Sequence, residues 1–306
     1  MRLRMVRLLE EKNIFIRCDS LVKIYKSEDV EVMALQGLDL EIEKGELMAV
    51  IGKSGSGKST LMNMIGGLER PSAGKLYIDG KDLFTLSDNE MVEYRNKTVG
   101  FVWQKSSRNL VPYMTAVENI EVPMYFTKKS PEDMRKKALE LIEKVGMLHK
   151  KDSYPEQMSG GEQQRIAIAV ALANEPDILL ADEPTGAVDS KTSNKIQDLF
   201  RSLNKELGIT IIIVTHDISL ANKVNRVVMI SDGKISTEKI MKEKYQQAMN
   251  LLDGEFISGN ESHEEYSVLD KAGRLQLNEE MLSAAGIDGN KVKVQVVDNK
   301  VVISRE

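Results

Sequence analysis

The sequence predicts an α/β fold: a mixed, mostly parallel sheet with a strand-rich N-terminal subdomain, a helical insertion and a small β-rich C-terminal unit. Three observations predict it. Short β-branched runs such as Ile209-Thr210-Ile211-Ile212-Ile213-Val214 alternate with amphipathic stretches such as 191–207, the order of a parallel sheet covered by helices. A second apolar run, Leu47-Met48-Ala49-Val50-Ile51, leads directly into a glycine-rich loop and then a helical pattern. A third region, 115–173, reads as helices and interrupts the strands.

That loop is Gly52-Lys53-Ser54-Gly55-Ser56-Gly57-Lys58-Ser59-Thr60. It fits G-x-x-x-x-G-K-[ST], the phosphate-binding loop of P-loop NTPases. A loop between strand and helix aims successive backbone N–H groups at one point, and the helix N-terminus adds partial positive charge. Lys58 is placed to reach the β- and γ-phosphates, and Ser59 to ligate Mg²⁺. The chain is thus expected to bind a nucleoside triphosphate.

Composition sets the bounds. The 306 residues suffice for one large domain or two, and 42% apolar with 29% charged residues allows a sizeable core. A net charge of −5 speaks against broad nucleic-acid binding. Cys18 is the only cysteine, so no internal disulfide forms; it reads as structural. The N-terminal stretch 1–11 has no apolar core of a signal peptide, and its arginines read as solvated or as touching a membrane surface. No run reaches the ~18 apolar residues of a membrane span, so any membrane role is expected to be peripheral.

In chain order, 13–24 and 38–42 read as strands, 44–46 as a turn into the loop strand and 72–80 as a further strand. Ser87 caps a helix over 87–97, with Glu90 three residues on. A strand over 99–104 follows, then helices over 115–127, 131–145 and 159–173, with Pro131 at a first-turn position. Strands are expected over 177–181, 209–214 and 227–230, with Asp232-Gly233 a hairpin turn. A helix over 238–252 and a polar, acidic linker over 254–265 complete the expectations for this part.

Asp182-Glu183 ends the strand at 177–181. Adjacent carboxylates on an extended strand point to opposite sides, so Asp182 is expected to hold Mg²⁺ and Glu183 to orient the attacking water. Ser159-Gly160-Gly161-Glu162-Gln163 opens a helix, either as an ordinary serine cap or as a second anion-binding element.

These motifs together resemble the nucleotide-binding subunit of ATP-binding cassette transporters, over roughly 14–236. The loop is similar to the Walker A motif, 178–183 to Walker B, and Ser159-Gly160-Gly161-Glu162-Gln163 to the family signature. Gln104 looks like the Q-loop glutamine, a further metal contact, and Asp189 like the D-loop aspartate. His216 looks like the switch histidine that bonds the γ-phosphate. Tyr25 stands where the adenine-stacking aromatic does, with a core tyrosine as the alternative. Met158 and Val188 depart from the commoner leucines, and the stretch 104–112 looks about two residues longer than the usual Q-loop. Among branches, the segments 79–83, 99–104 and 181–190 look most like lipoprotein-release and macrolide-export subunits.

The resemblance implies a homodimer around two ATP and separate integral-membrane permease subunits. It places the chain at the cytoplasmic face of the membrane and makes export or extraction of a substrate the work done. A soluble ATPase of the same superfamily, or an ATP-controlled DNA-binding regulator, is the alternative.

The domain expectation is a cassette over 1–253 with its helical part at about 105–175, the linker 254–265 and a tail over 266–306. The tail's strand–turn–strand–helix–hairpin order is similar to AbrB-type swapped-hairpin domains, which imply dimerisation or DNA binding. Its six basic residues are matched by six acidic ones, which favours a dimerisation or regulatory module over phosphate contact.

Overall fold

The computed structural model describes residues 13–27, 30–217, 220, 223–242, 245, 262–277, 279–289 and 291–305. Two sheets organise them. The larger has seven strands in the order β11-β10-β9-β3-β8-β7-β6. Its centre is β3 (Leu47–Ile51), flanked by β8 (Thr210–Thr215) and β9 (Arg226–Ser231), with β7 (Ile178–Asp182) and β6 (Val99–Val102) beyond β8. β6, β7, β8, β3 and β9 run parallel, and β10 (Lys234–Met241) and β11 (His263–Ser267) add antiparallel strands at one edge.

Alternation along these strands serves two cores. Leu47, Ala49 and Ile51 of β3, with Ile211 and Ile213 of β8, face one apolar cluster. Met48 and Val50, with Ile212 and Val214, face another. A sheet buried on both faces needs this near-continuous apolar composition.

The first core is closed by the helical insertion: α3 (Ala116–Glu121), α4 (Pro131–Lys144) and α5 (Gly160–Ala171), together with α6 (Ser190–Leu207). The expected helix over 115–127 is α only to Glu121 and tightens to 3₁₀ across Val122–Phe126, where Pro123 provides no N–H. The second core holds α1 (Lys58–Ile65), α2 (Asp88–Lys97) and the antiparallel sheet β2-β1-β4-β5. That sheet comprises β1 (Ile14–Lys26), β2 (Glu31–Glu43), β4 (Ala73–Ile78) and β5 (Lys81–Asp82). Ser87 and Glu90 form the expected reciprocal cap of α2. Cys18 is buried in this core, and burial pushes its thiol far above the usual range.

The C-terminal part departs from expectation in two places. The helix expected from Glu238 is a strand through Met241; beyond Lys242 only Tyr245 of that span falls among the described residues. The stretch expected as linker contributes β11, which pairs in register with β10, Lys239 opposite Glu265. Residues 254–261 lie outside the described residues, as do 1–12. Farther on come a bridge between Leu269 and Leu275, α7 (Glu279–Ala284), and the hairpin of β12 (Val292–Val297) and β13 (Lys300–Arg305).

Candidate functional site

The parallel strands deliver their C-terminal ends to one rim, the usual place for chemistry in such sheets. From β3 the chain turns through Gly52–Gly57 into α1. Gly57 has φ +103°, and a Cβ there would come within 2.4 Å of the Ala34 carbonyl oxygen, so the turn requires glycine. Lys58 folds back and donates to the carbonyls of Gly52 and Lys53, both at 2.8 Å. Burial lowers its pKa, against the pull of Glu183 and Asp182. Ser56 Oγ is buried with no hydrogen-bond partner. An orphaned buried hydroxyl within a glycine-rich loop is a group that a ligand's oxygen would satisfy.

From the neighbouring strands come the acidic groups. Burial, then the adjoining Glu183, raise the Asp182 pKa; Lys58, a hydrogen bond from Ser59 and the charge of Arg108 lower it. The Ser59 hydroxyl and Asp182 carboxylate therefore meet, the hard-oxygen pair that Mg²⁺ takes alongside substrate phosphates. No group of three or more His, Cys, Asp or Glu able to hold a metal occurs among the described residues.

Glu183 does not continue the strand. Its φ is +47°, and its N–H still donates to Val214 O at 2.8 Å. The divergence from Asp182 expected of strand alternation comes instead from this left-handed turn. The Glu183 carboxylate then accepts from Thr215 Oγ1 at 3.0 Å and from His216 Nδ1 at 2.8 Å. His216, expected to meet a γ-phosphate, is engaged with Glu183 and largely exposed.

Ser159 caps α5: its hydroxyl accepts from Glu162 N and the Glu162 carboxylate accepts from Ser159 N. Ser159 and Gly160 are exposed, whereas a Cβ on Gly161 would strike Thr192 of α6 at 2.3 Å. Asp189 caps α6 through Lys191 N and Thr192 N. Gln104 lies over Gly186, its Nε2 3.1 Å from where a Cβ would stand there. Tyr25 is 40% exposed, with its hydroxyl on Glu69. Lys23 Nζ lies 5.0 Å from the centre of its ring, and its exposure sets it apart from a fully buried core tyrosine.

Sequence reasoning missed the ties around Gln104. Ser106 Oγ donates to Gln163 Oε1 at 2.9 Å and Gln164 Nε2 donates to Trp103 O at 3.2 Å. Asn109 accepts from Trp103 N and donates to Phe101 O. Only the length of this loop signalled anything unusual.

A glycine-rich phosphate loop, a carboxylate pair and an exposed capped serine around one sheet define a nucleotide-binding ATPase. The ABC transporter family model matches residues 35–186. The chain is 43% identical over 228 residues to an uncharacterized ABC transporter ATP-binding protein of Methanocaldococcus jannaschii, covering 73% of this chain and 96% of that one. It is 43% identical to the lipoprotein-releasing system ATP-binding protein LolD of Colwellia psychrerythraea, over 72% of this chain and 84% of that one. With the macrolide export ATP-binding/permease protein MacB of Brucella abortus it shares 40% identity over 81% of its length but only 38% of the MacB chain. A solved dimeric, post-hydrolysis cassette bound to ADP and Pi superposes with TM-score 0.68 at 42% identity, over 74% of this chain and 99% of that one. The chain belongs to the ABC transporter ATP-binding family, and the fold and ATPase class expected from its sequence hold.

Proposed function

We propose that this chain is the ATP-hydrolysing subunit of a transporter and that its site is completed by a second copy. The observation that carries the proposal is Glu183, held between Thr215 and His216 beside the Lys58 loop. In this reading Lys58 and the N–H groups of 52–60 bind the phosphates, and Tyr25 stacks on adenine. Ser59, Asp182 and Gln104 would hold Mg²⁺, which would supply positive charge to offset that of the phosphates. Glu183 accepts a hydrogen bond from the attacking water and aligns it with the γ-phosphorus. Thr215 and His216 hold that carboxylate in place until substrate enters. His216 then turns to the γ-phosphate.

Ser159 and Gly160 are exposed at the start of α5, which supports a head-to-tail pair in which each copy's Ser159-Gly160-Gly161 closes the other's site, Asp189 lying between. The LolD and MacB relatives carry lipoprotein release and macrolide export in their names. Export or extraction through separate membrane subunits is therefore the work we assign here, at the cytoplasmic face. No helix among the described residues is long and apolar enough to cross a membrane. Tyr113, Tyr125 and Phe126 of the helical insertion are 78%, 62% and 79% exposed, aromatic side chains of the kind that interfaces with a permease bury.

The domain division proposed moves the expected seam between 253 and 266 to the end of β11, which belongs to the cassette sheet, and makes the residues beyond Ser267 an AbrB-like self-association unit. Register places Val292, Val294, Val296, Val301 and Ile303 on one face of the hairpin, and the four valines are exposed. A two-stranded hairpin with such a face gains stability from a second one.

The test is Glu183→Gln. ATPase activity is expected to fall by about a thousandfold while ATP binding persists. Turnover near the wild-type rate would remove Glu183 from its role.

A further inference from the structure

The Q-loop carries an arginine that the reading above leaves without a task. Arg108 ends the 3₁₀ turn Ser106–Arg108, is exposed, and forms no ion pair among the described residues. Its guanidinium lies 5.6 Å from the centre of the Trp103 ring. Trp103 in turn stacks on Phe101 at 4.9 Å with the planes 8° apart. Phe101 fills the space a Cβ on Gly66 would take, at the end of α1. A stack of three planar groups thus stands on the helix that opens at the phosphate loop.

Its direction matters. β6 runs parallel to β7 with Val102 opposite Ala181, so Trp103 and Asp182 are the next residues along their two chains at the rim. Each pair of strand residues advances about 6–7 Å toward the phosphate rim, so Trp103 lies that much nearer the N-terminus of α1 than Phe101 does. Arg108, above Trp103, is at the rim, and its charge is felt at Asp182. The base of the loop is pinned by Asn109, which clasps Phe101 and Trp103.

We infer that Arg108 contacts the terminal phosphate of the ATP held by its own chain, leaving the Trp103 face to do so. The inference rests on the ATPase reading and extends it. The site already holds two carboxylates, and a triphosphate adds more negative charge than Lys58 and a divalent cation offset. A guanidinium is the side chain best matched to a phosphate's oxygens. Its contact with an aromatic face is weak at an exposed position and yields readily to a charged partner. Ser106, two residues earlier, is bonded to Gln163 of the signature helix. The turn that senses a phosphate in one site is therefore tied to the helix offered to the other.

Trp103 is the only tryptophan in the chain, which supplies the readout. In full-length Glu183→Gln, ATP and ADP are titrated with Mg²⁺ while Trp103 emission is followed. ATP is expected to change the emission and ADP to leave it. Adding Arg108→Gln is expected to abolish that change and weaken ATP binding about tenfold, with ADP affinity unmoved, and Arg108→Lys to restore part of both. An ATP-specific change and ATP affinity that survive Arg108→Gln overturn the inference alone. A Glu183→Gln protein that binds no ATP overturns it together with the ATPase reading.

Discussion

Single residues show how the site balances opposing demands. Asp182 must be ionised to hold a cation, yet burial and Glu183 raise its pKa. A raised carboxyl pKa means the folded chain holds its proton to higher pH than the unfolded chain does. Stability therefore declines as pH rises from the unfolded value through the raised one, and at neutral pH the ionised group is a burden on the nucleotide-free fold. Asp182→Asn should raise the melting temperature of the nucleotide-free protein by a few degrees and abolish Mg²⁺-dependent hydrolysis. Calorimetry and an ATPase assay check the two halves, and a lower melting temperature would contradict the first. Glu183 carries the complementary strain: a left-handed residue without glycine's freedom costs about 1 kcal/mol, held here by its bond to Val214. The carboxylate pair was legible in the sequence; the turn that separates them was not, because it depends on a neighbouring strand thirty residues on.

At the level of elements, the local patterns read well and the non-local ones did not. The phosphate loop, the Ser87 and Ser159 caps and the apolar strands are each specified within a few residues, so their sequences show them directly. The stretch around Glu238-Lys239-Ile240 has helix-forming composition, but its charges find partners only across strands. Glu238 binds Arg226 at 2.8 Å and Lys239 binds Glu265 at 3.0 Å. Tertiary pairing overrides propensity there. The contact of α5 with α6 was equally hidden. Gly161 reads as a signature glycine for a nucleotide, yet its missing Cβ is what lets Thr192 approach. Gly161→Val should destabilise the chain by about 1–3 kcal/mol in urea unfolding, apart from any effect on ATP. Gly160, with only the Ala187 carbonyl at 3.9 Å, should tolerate alanine in the same assay.

On the scale of the whole molecule, a P-loop core and a strand-rich subdomain share one buried sheet, and the tail hangs its apolar hairpin outside both cores. If that hairpin holds two chains together, Val296→Glu should shift the nucleotide-free protein toward monomer in sedimentation or light scattering. Val296 is 74% exposed, so the substitution leaves the cassette core untouched and ATP affinity should stay unchanged. An unaltered mass would assign the face to another partner. The tail is not a bead on a string, however. β11 continues the main sheet, Val268 N–H donates to Ser236 O, and Lys271 bridges to Asp39 at 2.7 Å. The last strand of the ATPase sheet therefore comes from beyond the polar stretch that looks like a natural cut. Excising the cassette there would leave β10 with a bare edge ready to recruit a stranger's strand. A protein engineer, or a gene fusion in evolution, must place the seam after Ser267.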